Sequence, residues 1–152
     1  MRKGFTLLEI LIVIGISVAL LSFGALSLNG LRSGQSIESE ARQLVAVLQS
    51  AQEKSIGQDD GSNWGVYFDT IPDRDIYYLY QVDQGIPDGV IDTHILDASM
   101  DLELPAPDQT LSVIFSKATG QPTAAAAITI TDGNPETARN VTISAQGRID
   151  YE

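Results

Sequence analysis

MRKGFTLLEILIVIGISVALLSFGALSLNG, residues 1–30, decides how the chain is read. Between Lys3 and Asn29 the only charged residue is Glu9. Residues 10–28 form an uncharged run of 19. At ~1.5 Å per residue this run spans about 28 Å as a helix, close to the ~30 Å hydrocarbon core of a bilayer. Arg2 and Lys3 would stay on the cytoplasmic side, so the rest of the chain would leave through the membrane. A secretory signal peptide fits this pattern, with Ala25-Leu26-Ser27 as a small-x-small cleavage site. A plain single-span anchor fits it too. Neither has a use for Glu9, because a carboxylate near a helix centre costs roughly 2.5–3.5 kcal/mol on insertion scales.

The order of residues around Glu9 is more specific. A short basic leader ends in Gly4, an aromatic residue, Phe5, follows, and Thr6, Leu7, Leu8 and Glu9 precede the apolar run. This resembles the class III signal of type IV pilins and type II secretion pseudopilins. The resemblance implies a prokaryotic source, cleavage after Gly4 by a prepilin peptidase, and methylation of the new N-terminus at Phe5. It makes Glu9 the fifth residue of the mature chain, where the family carries its glutamate. It also implies pairing of Glu9 with the Phe5 amine of a neighbouring subunit; within one subunit the two lie four residues apart on a helix, so a local pairing stays open too. An α-amine, with a reference pKa of about 7.7–8.0, is largely protonated at neutral pH. Implied partners are other pilin or pseudopilin subunits, the prepilin peptidase, the inner-membrane assembly platform and membrane lipid. The β-branched residues of the run suit tight packing, and Gly15 and Gly24 allow close approach. Major pilins often carry a proline later in this segment; here Leu26 lies in that region.

Working outward, residues 29–36 (NGLRSGQS) hold Gly30 and Gly34, each worth about 1 kcal/mol against a helix. They predict a bend or joint. Residues 37–57 then repeat apolar side chains at helical spacing: Ile37, Ala41, Leu44, Val45, Leu48, Ala51 and Ile56, with Gly57 as the C-cap. From residue 58 the period changes to two. Strands are predicted at 63–70, 76–82, 90–96, 100–104, 111–116, 128–131, 140–144 and 148–151, separated by Pro, Gly, Asn and Asp clusters. The fold class is therefore α+β: a long N-terminal helix, transmembrane then amphipathic, packed on an antiparallel β-sheet head of about eight short strands. The expected divisions are a leader at 1–4, a membrane and filament-core helix at 5–28, an amphipathic helix at 29–57 and a β-rich head at 58–152. The stretches ARQLVAVLQSAQEKSI, WGVYF and VTISAQGRI are similar to the GspH/FimT class of pseudopilins and minor pilins. Gly147 suits the tight turn of a terminal hairpin.

Composition narrows the chemistry. With 20 acidic and 9 basic residues the net charge is −11, and beyond Leu31 there are 7 basic and 19 acidic residues. Such a chain repels phosphate backbones, so no nucleic-acid partner is expected. There is no cysteine, which removes disulfides and thiol catalysis. His94 is the only histidine, and a lone histidine on a strand reads as a packing or surface residue. With no histidine pair, Gly-rich phosphate loop or Gly-x-Ser-x-Gly, no enzymatic activity is expected. Asn140-Val141-Thr142 is a formal glycosylation triplet, read as chance in a prokaryotic chain.

Residues 82–92, VDQGIPDGVID, bring Asp83, Asp88 and Asp92 together with Gly85 and Gly89. An EF-type loop places oxygens at alternate positions before its glycine, and Ile86 breaks that pattern. A polar turn and a different kind of calcium turn both remain open. The sequence thus points to a minor pilin or pseudopilin of a type IV pilus or type II secretion pseudopilus. The alternatives are an anchored extracytoplasmic binding module and a competence-pilus subunit for DNA uptake.

Overall fold

The computed structural model describes residues 7–71, 74–86, 88–104 and 110–152, with no side-chain description for 21–33 and 71. The leader, its Gly4–Phe5 bond and Phe5 itself lie outside the described residues. The first element, α1, runs Leu7–Gly57. Gly30 and Gly34 do not interrupt it: propagating an existing helix costs less than ending and renucleating it. Two compact units part between Gln35 and Ser36, so the amphipathic part of α1 shares a unit with the β strands.

In that unit α1 buries Ile37, Ala41, Leu44, Leu48, Ala51 and Ser55, spaced four and three residues apart, with Val47 beside them. The repeat lands on Ser55, so Ile56, expected in the stripe, is 48% exposed. The helix ends at residue 57, with Gly57 inside it rather than beyond it. Gly57 is its last residue, and the left-handed position after it is Gln58 (φ 57°, ψ 37°), leading into a 3₁₀ turn at Asp59–Gly61.

The strands are β1 (Trp64–Ile71), β2 (Arg74–Gln81), β3 (Val90–Ile95), β4 (Asp101–Glu103), β5 (Leu111–Phe115), β6 (Ala126–Thr131), β7 (Arg139–Ile143) and β8 (Ile149–Tyr151). They form two four-stranded antiparallel sheets where one was expected: sheet A, β3-β2-β1-β5, and sheet B, β4-β6-β7-β8. The division follows from where the chain turns away after β3. The Asp97 carboxylate caps that turn through Ser99, and the Asp75 carboxylate on β2 accepts from the Leu102 amide on β4. Burial raises the Asp75 pKa against the stabilising pull of that amide.

One core joins the pieces. In sheet A the register sets Val66 opposite Leu79 and Val113, and Phe68 opposite Tyr77. In sheet B it sets Ile128 opposite Val141 and Ile143 opposite Ile149. These side chains and the α1 stripe belong to a single buried cluster.

Polar side chains of α1 fasten both sheets at the margins of that cluster. Glu38 accepts from Arg139 Nε on β7 at 2.8 Å, and Tyr151 on β8 donates to the same carboxylate at 3.3 Å. Glu40 accepts from the buried Tyr77 hydroxyl at 2.9 Å. Burial, reinforced by Glu40, pushes the Tyr77 pKa far up, so the hydroxyl stays a donor. Gln52 Nε2 donates to the carbonyls of Gly120 (2.9 Å) and Gly147 (2.8 Å). Gly147 is glycine for two reasons: its φ is +86°, and a Cβ would stand 2.7 Å from Gln52 Nε2. Buried Ser55 accepts from the Trp64 amide at 2.9 Å and holds the start of β1 to the end of α1.

Ser55→Ala should therefore lower unfolding stability by about 1–3 kcal/mol, because the buried Trp64 amide loses its acceptor. Equilibrium denaturation measures this, and an unchanged midpoint contradicts it. Glu38 gives a pH test. Its pKa is held below the ordinary carboxylate value, first by Arg139 and then by Arg42. A lowered pKa contributes stability above the unfolded value, and that contribution disappears as pH falls through the folded one. Glu38→Gln should melt earlier than the parent at pH 7, with the gap closing below about pH 4. A gap that stays constant across that range contradicts the assignment.

Candidate assembly site

Glu9 sits in the first described turn of α1. Around it every described side chain from Leu7 to Leu20 is exposed, on all sides of the helix. Leu7 is 82% exposed, and Ile10, Val13 and Ile14 are each more than half exposed. An amphipathic helix would show one polar side; this one shows apolar surface all round with a single carboxylate. Polar groups within it are turned inward: Ser17 Oγ donates to the Val13 carbonyl at 2.8 Å, which satisfies the hydroxyl without water. Gly15 has open space where a Cβ would stand, so nothing inside the chain requires glycine there. Glu9, Ile10, Val13 and Ile14 line a shallow notch of about 290 Å³. Among the described residues, no helix is long and apolar enough to cross a membrane.

This surface is costly to leave in water. Fully burying an aliphatic side chain of this size yields roughly 1.5–3 kcal/mol. Ten large aliphatic side chains between Leu7 and Leu20 are exposed, so their burial outweighs the few kcal/mol that one carboxylate costs in apolar surroundings. An apolar environment or apolar neighbours would stabilise the segment, and Glu9 is the one charged side chain on it between Leu7 and Leu20.

Two of the three acidic calcium candidates are engaged by local partners. Asp83 accepts from the Ser62 hydroxyl, which in turn accepts from buried Gln81 at 2.8 Å. Asp92 accepts from the Thr93 amide, and its other oxygen lies 3.0 Å from His94 Nε2. Asp88 is exposed. Among the described residues, no three His, Asp or Glu side chains gather as a metal site. The loop is closed by its own backbone instead: the Gly89 amide donates to Gly85 and the Gln81 amide to Gly89. A Cβ on Gly89 would meet the Gln81 carbonyl at 2.5 Å, so backbone fills the space.

His94 has the packing role expected of it. Its ring stacks on Tyr77 at 4.9 Å, and Nδ1 accepts from Gln43 Nε2 at 2.7 Å, which leaves the proton on Nε2. The approach of Nε2 to Asp92 is short but poorly aligned, an electrostatic contact rather than a hydrogen bond.

Sequence reasoning missed the face of sheet A opposite the core. Tyr67, Tyr78 and Tyr80 cluster there. The signal was present in IYYLY, where both phases of the strand alternation are apolar or aromatic.

No protein-family model matches the chain, and no curated protein matches it in sequence. Solved structures do. A crystal structure of the type IV minor pilin FimU of Pseudomonas aeruginosa superposes with a TM-score of 0.62 at 18% identity, covering 78% of this chain and 89% of that one. A second crystal form of FimU gives 0.60 at 18% identity, over 76% and 91%. The minor pseudopilin EpsH from the type 2 secretion system of Vibrio cholerae gives 0.56 at 18% identity, over 77% and 96%. The chain therefore has a type IV pilin-like fold.

Because Asp83 and Asp92 serve local hydrogen bonds and the three aspartates do not gather, millimolar calcium should move the melting temperature of the purified protein by less than about 1 °C. A ligand at a hundred times its Kd would add about 2.7 kcal/mol, worth several degrees. A shift of that size contradicts this reading.

Proposed function

We propose that this chain is a minor pilin or pseudopilin. It is held in the cytoplasmic membrane by its N-terminal helix, with the head outside, until an assembly platform moves it into a type IV pilus or a type II secretion pseudopilus. The observation that carries this is Glu9, one carboxylate on an otherwise apolar, fully exposed helical surface, in a chain with a pilin-like fold. The GFTLLE motif, residues 4–9, gives the surface its processing step. Cleavage after Gly4 frees the amine of Phe5, and methylation leaves it cationic.

The assembly step is then an exchange of environments. Lipid around the apolar segment is replaced by the apolar segments of neighbours, which changes its hydrophobic burial little. Close packing and the pairing of Glu9 with a neighbour's Phe5 amine supply the difference and set the register. The role is structural, in nucleation, tip assembly or joining of other subunits. Seven basic residues against 19 acidic ones beyond Leu31 disfavour DNA uptake by this subunit.

Glu9→Ala tests the pairing. The variant should insert in membranes as well as the parent, since removing a charge favours insertion. Its recovery in sheared or purified filaments should fall at least tenfold. Incorporation at the parental level would show that Glu9 has no part in assembly.

A further inference from the structure

The two sheets differ on the faces turned away from the core. On sheet B that face carries Thr129, Asn140, Thr142 and Asp150, with Asp101 and Glu103 at the edge strand, an ordinary solvated surface. On sheet A the register sets Thr93, Tyr78, Tyr67 and Ser112 in one row across all four strands. Ile95, Ile76 and Asp69 form the next row. Ile95 is 52% exposed, Tyr67, Ile76 and Tyr78 are half-buried, and Tyr80 is buried, though outside the cluster that α1 packs against.

The rings are held in place. The Tyr80 hydroxyl and Ser112 Oγ share a hydrogen bond of 2.6 Å that spans β1, and the ring of Tyr80 lies over Gly65. A Cβ on Gly65 would come within 3.2 Å of that ring and 2.8 Å of the Val113 carbonyl. Tyr67 meets Tyr80 edge-on at 6.4 Å and Tyr78 at 6.3 Å. Fixed tyrosines lose little entropy on binding and suit protein contacts that are apolar at the body and polar at the tip. Beside them stands Asp69, half-buried and directly opposite Ile76. Its carboxylate takes part in none of the side-chain hydrogen bonds or ion pairs found among the described residues. Arg74 lies on the same face at the hairpin end, and no ion pair joins it to Asp69.

We infer that this face docks a different protein, one that presents an arginine or lysine over Tyr67 and Tyr78 to the Asp69 carboxylate. Charge decides the occupant. An aromatic platform beside a carboxylate that no described side chain pairs attracts a cation both through the ring faces and through the ion pair. A second copy of this chain carries the same net charge of −11 and is repelled. A basic partner gains from the net charge as well as from the site. The inference is independent of how the N-terminal helix is used, because a filament subunit and an anchored module would present the same face.

The test is photo-crosslinking of the full-length protein in its own cells. Benzoylphenylalanine replaces exposed Thr93, on this face, or Thr142, on the outer face of sheet B, as the control. The position-93 probe should give a heterotypic adduct whose crosslinked partner segment contains arginine or lysine, and the position-142 probe should not give that adduct. Asp69→Lys and the near-isosteric Asp69→Asn should each reduce the adduct at least tenfold. Replacing the partner's cation by glutamate should restore it with Asp69→Lys. Circular dichroism of both variants confirms that they are folded. An adduct only with a second copy, no adduct at position 93, or an adduct of parental yield in folded Asp69→Lys would each overturn the inference.

Discussion

A helix of 3.6 residues per turn can offer a continuous buried stripe only where apolar residues recur every three to four positions. In α1 that condition holds from Ile37 to Ser55, and the arrangement of the head depends on it. The stripe gives both sheets a common surface, so eight short strands that could not stabilise themselves share one core. Polar residues on either side of the stripe then set positions. Glu38 reads Arg139 and Tyr151 of sheet B, Glu40 and Gln43 read Tyr77 and His94 of sheet A, and Gln52 and Ser55 tie the closing loops and the first strand to the end of the helix. Core burial supplies most of the stability, and these bonds select one arrangement of the sheets.

The N-terminal part of α1 obeys the opposite rule. Its apolar residues fall on every side of the helix, so no single stripe can satisfy them, and from Leu7 to Leu20 all are exposed. Such a segment requires apolar surroundings on every side. Lipid provides these, and so does a bundle of identical helices. Glu9 distinguishes the two: in lipid it is a cost, and in a bundle with a cationic terminus nearby it becomes a contact. On the proposed function, the same chemistry that makes the residue awkward for an anchor makes it useful for assembly.

Much of this was legible in the sequence because it rests on period. The switch from helical spacing to alternation at residue 58 marked the end of the helix to within a residue, and the positive φ at Gly147 was foreseeable from a tight turn. What stayed hidden depends on tertiary geometry. Ser55 and Ile56 differ by one position, and only the accumulated phase of the stripe decides which is buried. Two sheets rather than one follow from the turn after β3 and from Asp75 reaching Leu102, a contact between residues 27 apart. The aspartates of residues 82–92 looked like ligands because sequence shows carboxylates but not their partners; Ser62 and Thr93 take two of them.

The central claim is that the segment beginning at Phe5 is made for assembly, not merely for anchoring. Intact mass and N-terminal peptide mass spectrometry of the protein isolated from membranes test it most directly. The account predicts a chain shortened by its first four residues that begins with methylated Phe5 and retains Glu9. A chain that still begins at Met1, or one cut after Ser27, would contradict it.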